Sequence, residues 1–539
     1  MKRFLVVACL FLLAACVREP EPRRRLGKIE FETSCNDEAQ SRFDTGLALL
    51  HHMMYDEAQK NFYAATAMDE QCAMAYWGMA MSRLHALSAG RPDGAALGKS
   101  VGDLGRARAM ESTTLREQTY IEALATFFAQ WDRVDHATRL AAWEAAQKKL
   151  YDAYPDDTDA AAFYALAHIA TAPATDKTYR HHKAAAKILE SLHVSHPEHP
   201  GALHYLVRAY DNPELAGRGE DAAKAYAELA PKVPQAQHAP SHVFVRTGEW
   251  QDTIEFNARA MGAARRMTVA GGMTYHFVHA ADFQMYAYLQ GGWDRRAESI
   301  LRQFARVEAF QDDFASAYGL AAAPARYHLE RMDWEGAAKL PVGNPTDFPW
   351  EKYPAARALT HFARGIGAAR SGDSDSARAA VGELNAIHAE LEESAPYWAF
   401  LVDARRKAVE AWIAHAEGRD DEAVEQMRAA ADLEDRVITL PVTPGPPLPL
   451  RELLGDLLLE LDRPAEAYPE FQRSLASAPN RLYSVYKAAR TADKADDKVN
   501  AHAFYRQLIK LVEASRSDRP EVKKAKYFLR VNPTVDSGG

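Results

Sequence analysis

Apolar and small residues recur three or four positions apart along this chain, the period of packed helices, while strand-type alternation of Val, Ile and Thr is scarce. Near the C-terminus Leu454, Gly455, Leu458, Ala467, Phe471 and Pro479 mark two helices and the turn after them, and Ala489, Ala501, Tyr505 and Leu508 continue in phase. Gly46, Leu49, Ala58, Phe62 and Ala65 set the same pattern at the other end. Gly365, Ala377 and Leu384 repeat it, as do Ala411, Ala423, Met427 and Ala430. Small residues suit points where two helices cross closely, and large ones fill the gaps around them. More degenerate second helices are marked by Ala185, Leu189, Leu192 and Pro197, by Ala222, Tyr226 and Leu229, and by Ala297, Leu301 and Phe304. Each helix pair leaves an apolar side bare, so neighbouring pairs must stack to cover it.

These spacings resemble the tetratricopeptide (TPR) unit. The resemblance implies an all-α fold, a right-handed α-α superhelix (TPR-like solenoid) of about nine to eleven helix pairs. Loops interrupt the array at 90–105, at 340–353 and at 440–450, the last reading LPVTPGPPLPL, which cannot be helical throughout. The latter two divide the expected array into residues 29–340 and 341–515, followed by a tail, 516–539. The stretches TSCNDEAQSRFDTGLALL, CAMAYWGMAMS, REQTYIEAL, HPGALHYLVRAYDNPELA, HAPSHVFVRTGEWQDTIEFN and HAADFQMYAYLQ go beyond a TPR consensus. They resemble a family of bacterial TPR proteins of unsettled function, across most of residues 30–300. After residue 300 only the repeat spacing matches.

The chain opens with Lys2 and Arg3, a short apolar run from Phe4 to Leu13, and Leu13-Ala14-Ala15-Cys16. The run is too short to span a bilayer. It resembles a lipoprotein signal peptide, which implies removal of residues 1–15 and lipid attachment at Cys16. Val17, where an Asp would favour inner-membrane retention, implies an outer-membrane anchor facing the periplasm. Residues 16–28, with two prolines and four arginines after the Cys, read as a tether. In an oxidising compartment Cys35 and Cys72, each just before the first helix of a repeat, are expected to form a disulfide. The net charge of −9 and the lack of a basic stripe argue against nucleic acid as a partner.

Candidate chemistry gathers between residues 199 and 282. His204 and Asp211 fall on one helix, His238 and His242 on the next, His279, Asp282 and Tyr286 on a third. Their spacings of three, four and seven place each set on one stripe, distinct from the packing stripe. By resemblance to TPR proteins, that stripe lines the concave groove. His-x-x-x-His offers two imidazoles to one metal, so His204, His238, His242, His279 and Asp282 form a candidate site for a divalent transition metal such as zinc. Asp211, Arg246 and Tyr286 are candidate ligand-groove residues, with Arg246 suited to a carboxylate or phosphate. Pro240 is the weak joint: a helix beginning there would put His238 outside it. Against the metal stands the common fate of a buried His, which is to tie structure together by hydrogen bonds. His276 lies near the cluster but out of register, and His168, His193, His196 and His199 are expected at solvated helix ends.

Other signals lead nowhere. DGAALGKS, residues 93–100, lacks the first Gly of a phosphate loop and a preceding strand, and is read as a loop. Met53 and Met54 of the HHMM stretch, with Tyr76 and Trp77, are expected to fill core. No Ser or Cys nucleophile motif appears. Two functional expectations result. One is a non-enzymatic, envelope-anchored scaffold that binds a protein, peptide or small ligand in its groove and touches the membrane only through its lipid. The other is a metal-binding protein or metal-dependent hydrolase built on the His/Asp set.

Overall fold

Capping side chains start many of the helices. Asn36 accepts from the Ala39 amide, Asp135 from Thr138, and Thr114 with Glu117 forms a reciprocal capping box. The computed structural model describes residues 26–87, 93–267 and 269–533. The signal segment, Cys16 and most of the tether lie outside them. The described residues form an all-α, TPR-like solenoid of antiparallel helix pairs with no named strand. Twelve pairs can be followed, and a last helix, Pro520–Val531, packs on Lys498–Leu511. Short members such as Trp334–Ala338 account for the excess over the nine to eleven that spacing suggests. Small residues sit at the crossings as the pattern requires. A Cβ on Gly455 would lie 2.5 Å from the Phe471 ring, and one on Gly78 would lie 2.4 Å from Phe62. The apolar core is continuous across residue 340, from Ala260 to Ala488.

Cys35 and Cys72 are bonded, with Cα atoms 4.6 Å apart, and tie the first helix pair to the second. One reading fails nearby. Gly94–Arg108 is a helix and not a loop, because the Asp93 side chain caps it at Ala96 while Leu97, Leu104 and Ala107 bury one face. The glycines of that stretch cost helix propensity, but the cap and the buried face outweigh it.

The array curls until its C-terminal pairs meet its middle. Trp250 Nε1 donates to the Asn480 carbonyl (2.9 Å), and Arg519 pairs with Asp294. At the same contact Gly248 closes its helix with φ +76°, and a Cβ there would meet the Pro479 carbonyl at 2.4 Å. A fully buried ion network also lies on this closure. Arg481 reaches Glu330 and Glu452 (2.9 and 2.8 Å) and donates to the Tyr286 hydroxyl (3.0 Å).

The proline-rich segment 437–449 does not separate two bodies; it threads the inside of the curl. Its prolines carry no N–H, so its carbonyls need donors from elsewhere. Arg326 donates to the Gly445 and Pro446 carbonyls (2.6 and 2.8 Å) and Arg246 to that of Pro444 (3.3 Å). The Ile438 amide donates to Ala174 O (2.7 Å), and Lys177 Nζ donates to Val437 O (2.6 Å). Glu434 accepts from the Leu450 amide at the far end (2.8 Å), and burial pushes its carboxyl up to about 7. The chain's own segment therefore covers much of the inner face that a free TPR groove would expose.

Candidate functional site

The helix Pro200–Ala209 carries the first part of the site, with Pro200 at its first turn and the His199 ring capping the Ala202 amide. The second part spans Pro234–His238 and Pro240–Thr247. Pro240 does not expel His238, because Ala239 keeps helical angles (φ −53°, ψ −35°) and carries one short helix into the next. His238 and His242 thus stay one turn apart. The helix Tyr275–Gln290 supplies the third part, including His279.

His238, His242 and His279 are buried, and each turns one ring nitrogen into a common space, all within 4.8 Å of one another. His238 Nε2 and His242 Nε2 are 3.0 Å apart. The outward nitrogens are held by acceptors. His238 Nδ1 faces Asn257 Oδ1 (2.7 Å), and the Asn257 amide is fixed because its Nδ2 donates to Thr253 O (2.7 Å). His242 Nδ1 faces Asp211 Oδ2 (2.8 Å), and a ring N–H of His279 is held by the Val442 backbone carbonyl. Burial pulls His242 down to about 4, helped by Arg208; burial and the neighbouring histidines pull His238 and His279 well below their ordinary value. All three are neutral near pH 7, and His238 and His242 turn lone pairs inward.

The other members of the expected set do not converge there. Asp282 is taken by Arg326 (2.9 Å), the cation that also holds the proline-rich segment. His204 donates from Nδ1 to the His51 carbonyl (2.7 Å) and stacks on Tyr226 with ring centroids 4.9 Å apart. Asp211 accepts from His242 and from Arg246 Nε (3.0 Å). Although burial pushes its carboxyl up, Arg246 and His242 hold it below the usual carboxylate range. Arg246 is thus committed to Asp211 and the Pro444 carbonyl, and Tyr286 is held by Arg481. His276 is buried against Tyr275, and burial lowers it to about 3.

The residue that sequence reasoning passed over is Arg208. It lies one turn after His204 and three residues before Asp211, on the same stripe, and that register was the available signal. It is buried, and no carboxylate stands within ion-pair distance of it among the described residues. Its Nη1 donates to His242 Nε2 (3.0 Å), while its Nε has no partner. Arg208 lines two cavities under the proline-rich segment. One, of about 340 Å³, is also lined by Tyr179, His182, Asp211, Arg246 and Arg481. The other, of about 100 Å³, is also lined by Tyr55, His85, Tyr275 and His279.

A second knot, His51, Asp159 and His199, looks similar but has the opposite polarity. His199 is buried and not solvated, because its Nδ1 accepts from the Ala202 amide (3.1 Å). That assigns its proton to Nε2, which faces Asp159 Oδ1 (3.4 Å). His51 Nε2 meets the same oxygen (2.7 Å), and its Nδ1 takes the Tyr205 hydroxyl (3.1 Å). Both rings turn N–H groups inward, so this knot ties the first repeat to the middle ones and offers no nitrogen lone pair. In a third group, Glu144, His168 and His181, the ligand atoms also lie within 4.8 Å of one another, but the group is half-buried, His168 Nδ1 is engaged by Glu144 (2.5 Å), His181 Nδ1 faces the His168 carbonyl (3.0 Å), and the two rings stack in parallel (4.4 Å, 14°).

No helix among the described residues is long and apolar enough to cross a membrane. No family model matches the sequence, and no curated protein is similar to it. Among solved structures, yeast Tom70 aligns at 11% identity with a TM-score of 0.30, over 92% of this chain and 96% of that one. Human IFIT1 structures with PPP-AAAA and with m7Gppp-AAAA each align with a TM-score of 0.38, at 10% and 9% identity, over 88% of this chain and 95% of those. Likeness at this level carries no argument, and the fold rests on the helix pairs described above.

Proposed function

We propose that this protein is an envelope-anchored helical scaffold that encloses a small anionic ligand, such as a carboxylate or phosphate compound, beside Arg208. One observation carries the reading: a buried guanidinium faces a cavity with an unpartnered Nε, and the carboxylate that offsets its charge, Asp211, lies beyond ion-pair distance and is already shared by Arg246 and His242. A buried cation is stable only when paired, and breaking such a pair costs several kcal/mol. Arg246, Arg326 and Arg481 each have their carboxylate, whereas Arg208 has none at ion-pair distance; Arg405, also buried without an ion pair among the described residues, does not line this cavity. The segment 437–449 favours a small ligand over a peptide, because it already fills the peptide-sized part of the inner face. The observations at Arg208 support binding, and the reading assigns no reaction.

The test is thermal. Inorganic phosphate or succinate at saturation is expected to raise the melting temperature of the wild-type chain by about 2–4 °C. Arg208→Gln is expected to remove that rise. An equal rise in the variant would place any anion elsewhere and end this assignment. The anchor is tested separately. Cys16→Ser is expected to move the protein from the membrane to the soluble fraction, and continued membrane attachment refutes the lipid anchor.

A further inference from the structure

Beyond the anion reading, we propose that His238, His242 and His279 form a binding site for one divalent transition metal of the zinc class. The argument rests on proton placement. Asn257 and Asp211 each accept a proton from Nδ1 of one ring, so His238 and His242 must each offer a lone pair on Nε2, and His279 turns a ring nitrogen into the same space. The two lone pairs, on His238 Nε2 and His242 Nε2, face each other at 3.0 Å. Two acceptors at that distance repel unless a cation lies between them. Two nitrogens on a tetrahedral zinc, each at about 2.0–2.1 Å, stand about 3.3 Å apart, so a small opening of the pair admits the ion. The outer acceptors are those that metal-binding imidazoles require, since they fix the tautomer and the ring plane. Three protein nitrogens leave a fourth position for water or an anion.

Arg208 competes for this place. Its Nη1 donates to the His242 lone pair, and its positive charge opposes a second cation. With metal bound, Arg208 turns into the cavity it already lines, where it meets an anion completing the fourth position. The metal and the guanidinium therefore make opposite demands on the same residue, and that makes the site testable apart from the anion reading.

The experiment is a titration of metal-depleted, full-length protein with zinc against a competing chelator, with elemental analysis for stoichiometry. The wild-type chain is expected to take one zinc. His238→Ala and His279→Ala are each expected to weaken it about 100-fold, and Asn257→Ala about tenfold. Arg208→Ala is expected to bind zinc about tenfold more tightly, although it loses the phosphate response. Circular dichroism establishes that each variant is folded; if a histidine variant is not, the Asn257 and Arg208 pair still decides. Absence of stoichiometric zinc in the folded wild-type chain overturns the proposal. So does undiminished zinc in the histidine or Asn257 variants, or an Arg208→Ala chain that binds zinc no better than wild type.

Discussion

Lowering the pH from about 7 to about 4 is expected to cost this fold more stability than any single substitution. The cause is a set of buried, neutral histidines. Burial holds His52 and His242 down to about 4 and His276 to about 3, and it also lowers His51, His85, His182, His204, His238 and His279. In the unfolded chain these rings titrate near 6.5, so between that pH and their folded values the unfolded state binds more protons. Their contribution is complete above about 6.5 and is lost as the pH falls through about 4. For His52 and for His242 the loss is about 3 kcal/mol each. Members of the three-histidine cluster share their protons, so their losses do not add.

Six carboxyls pull the other way. Burial raises Asp44, Glu249, Asp282 and Glu330, and it raises Glu434 to about 7 and Asp313 to about 6, so the folded state holds their protons more tightly. Their contribution is present at low pH and is lost as the pH rises through their folded values, about 6 for Asp313 and about 7 for Glu434. Histidines outnumber them, so the net slope is acid-labile. Urea unfolding midpoints measured from about pH 8 down to about pH 4 are expected to hold near neutrality and then fall steeply below about 6.5. A flat profile, or midpoints that rise toward acid, would contradict the neutral state of the buried rings.

Replacing Arg481 with Met is the substitution expected to do the most damage. The side chain is fully buried, and it neutralises two buried carboxylates, Glu330 and Glu452, one from each side of the closure. Removing it strands both, and breaking a buried pair of this kind costs about 3–5 kcal/mol. The Tyr286 hydroxyl loses its donor as well. Burial already pushes the Glu330 carboxyl up, with Arg481 opposing that rise, so without Arg481 it takes a proton. Adding Glu330→Gln to Arg481→Met is therefore expected to restore part of the loss, by removing one stranded charge. Chemical denaturation of the two variants beside wild type checks both statements; a loss under about 1 kcal/mol would show that the closure does not depend on this network.

Much of this was written in the residue pattern, and the reason is local. Gly455 against Phe471, within one helix pair, and Gly78 against Phe62, between two successive pairs, are contacts between helices adjacent in the chain, so spacing alone declares them. The inward pointing of His238, His242 and His279 was legible in the same way, since all three share one register. The partner of each polar side chain was not legible, because it comes from far along the chain. Asp282 shares that register, yet Arg326, 44 residues on, takes it. His204 does too, yet it is held by a carbonyl 153 residues back. His199 was misjudged for the same reason: its neighbours Pro197 and Glu198 suggest a solvated turn, while Asp159 and His51 pull it inside. The proline-rich segment was plainly non-helical, but nothing in its own sequence says that arginines elsewhere would draw its carbonyls into the curl. Asp93, by contrast, is a cap signal in plain view, obscured by the likeness of the stretch to a phosphate loop.

The central claim is that the cavity beneath that segment holds a small anion on Arg208. Calorimetric titration of inorganic phosphate into the zinc-free, full-length chain and into Arg208→Gln tests it most directly. The predicted result is one phosphate per wild-type chain and no binding heat in the variant. No binding by wild type up to phosphate concentrations on the order of 10 mM, or equal binding by both proteins, would contradict it.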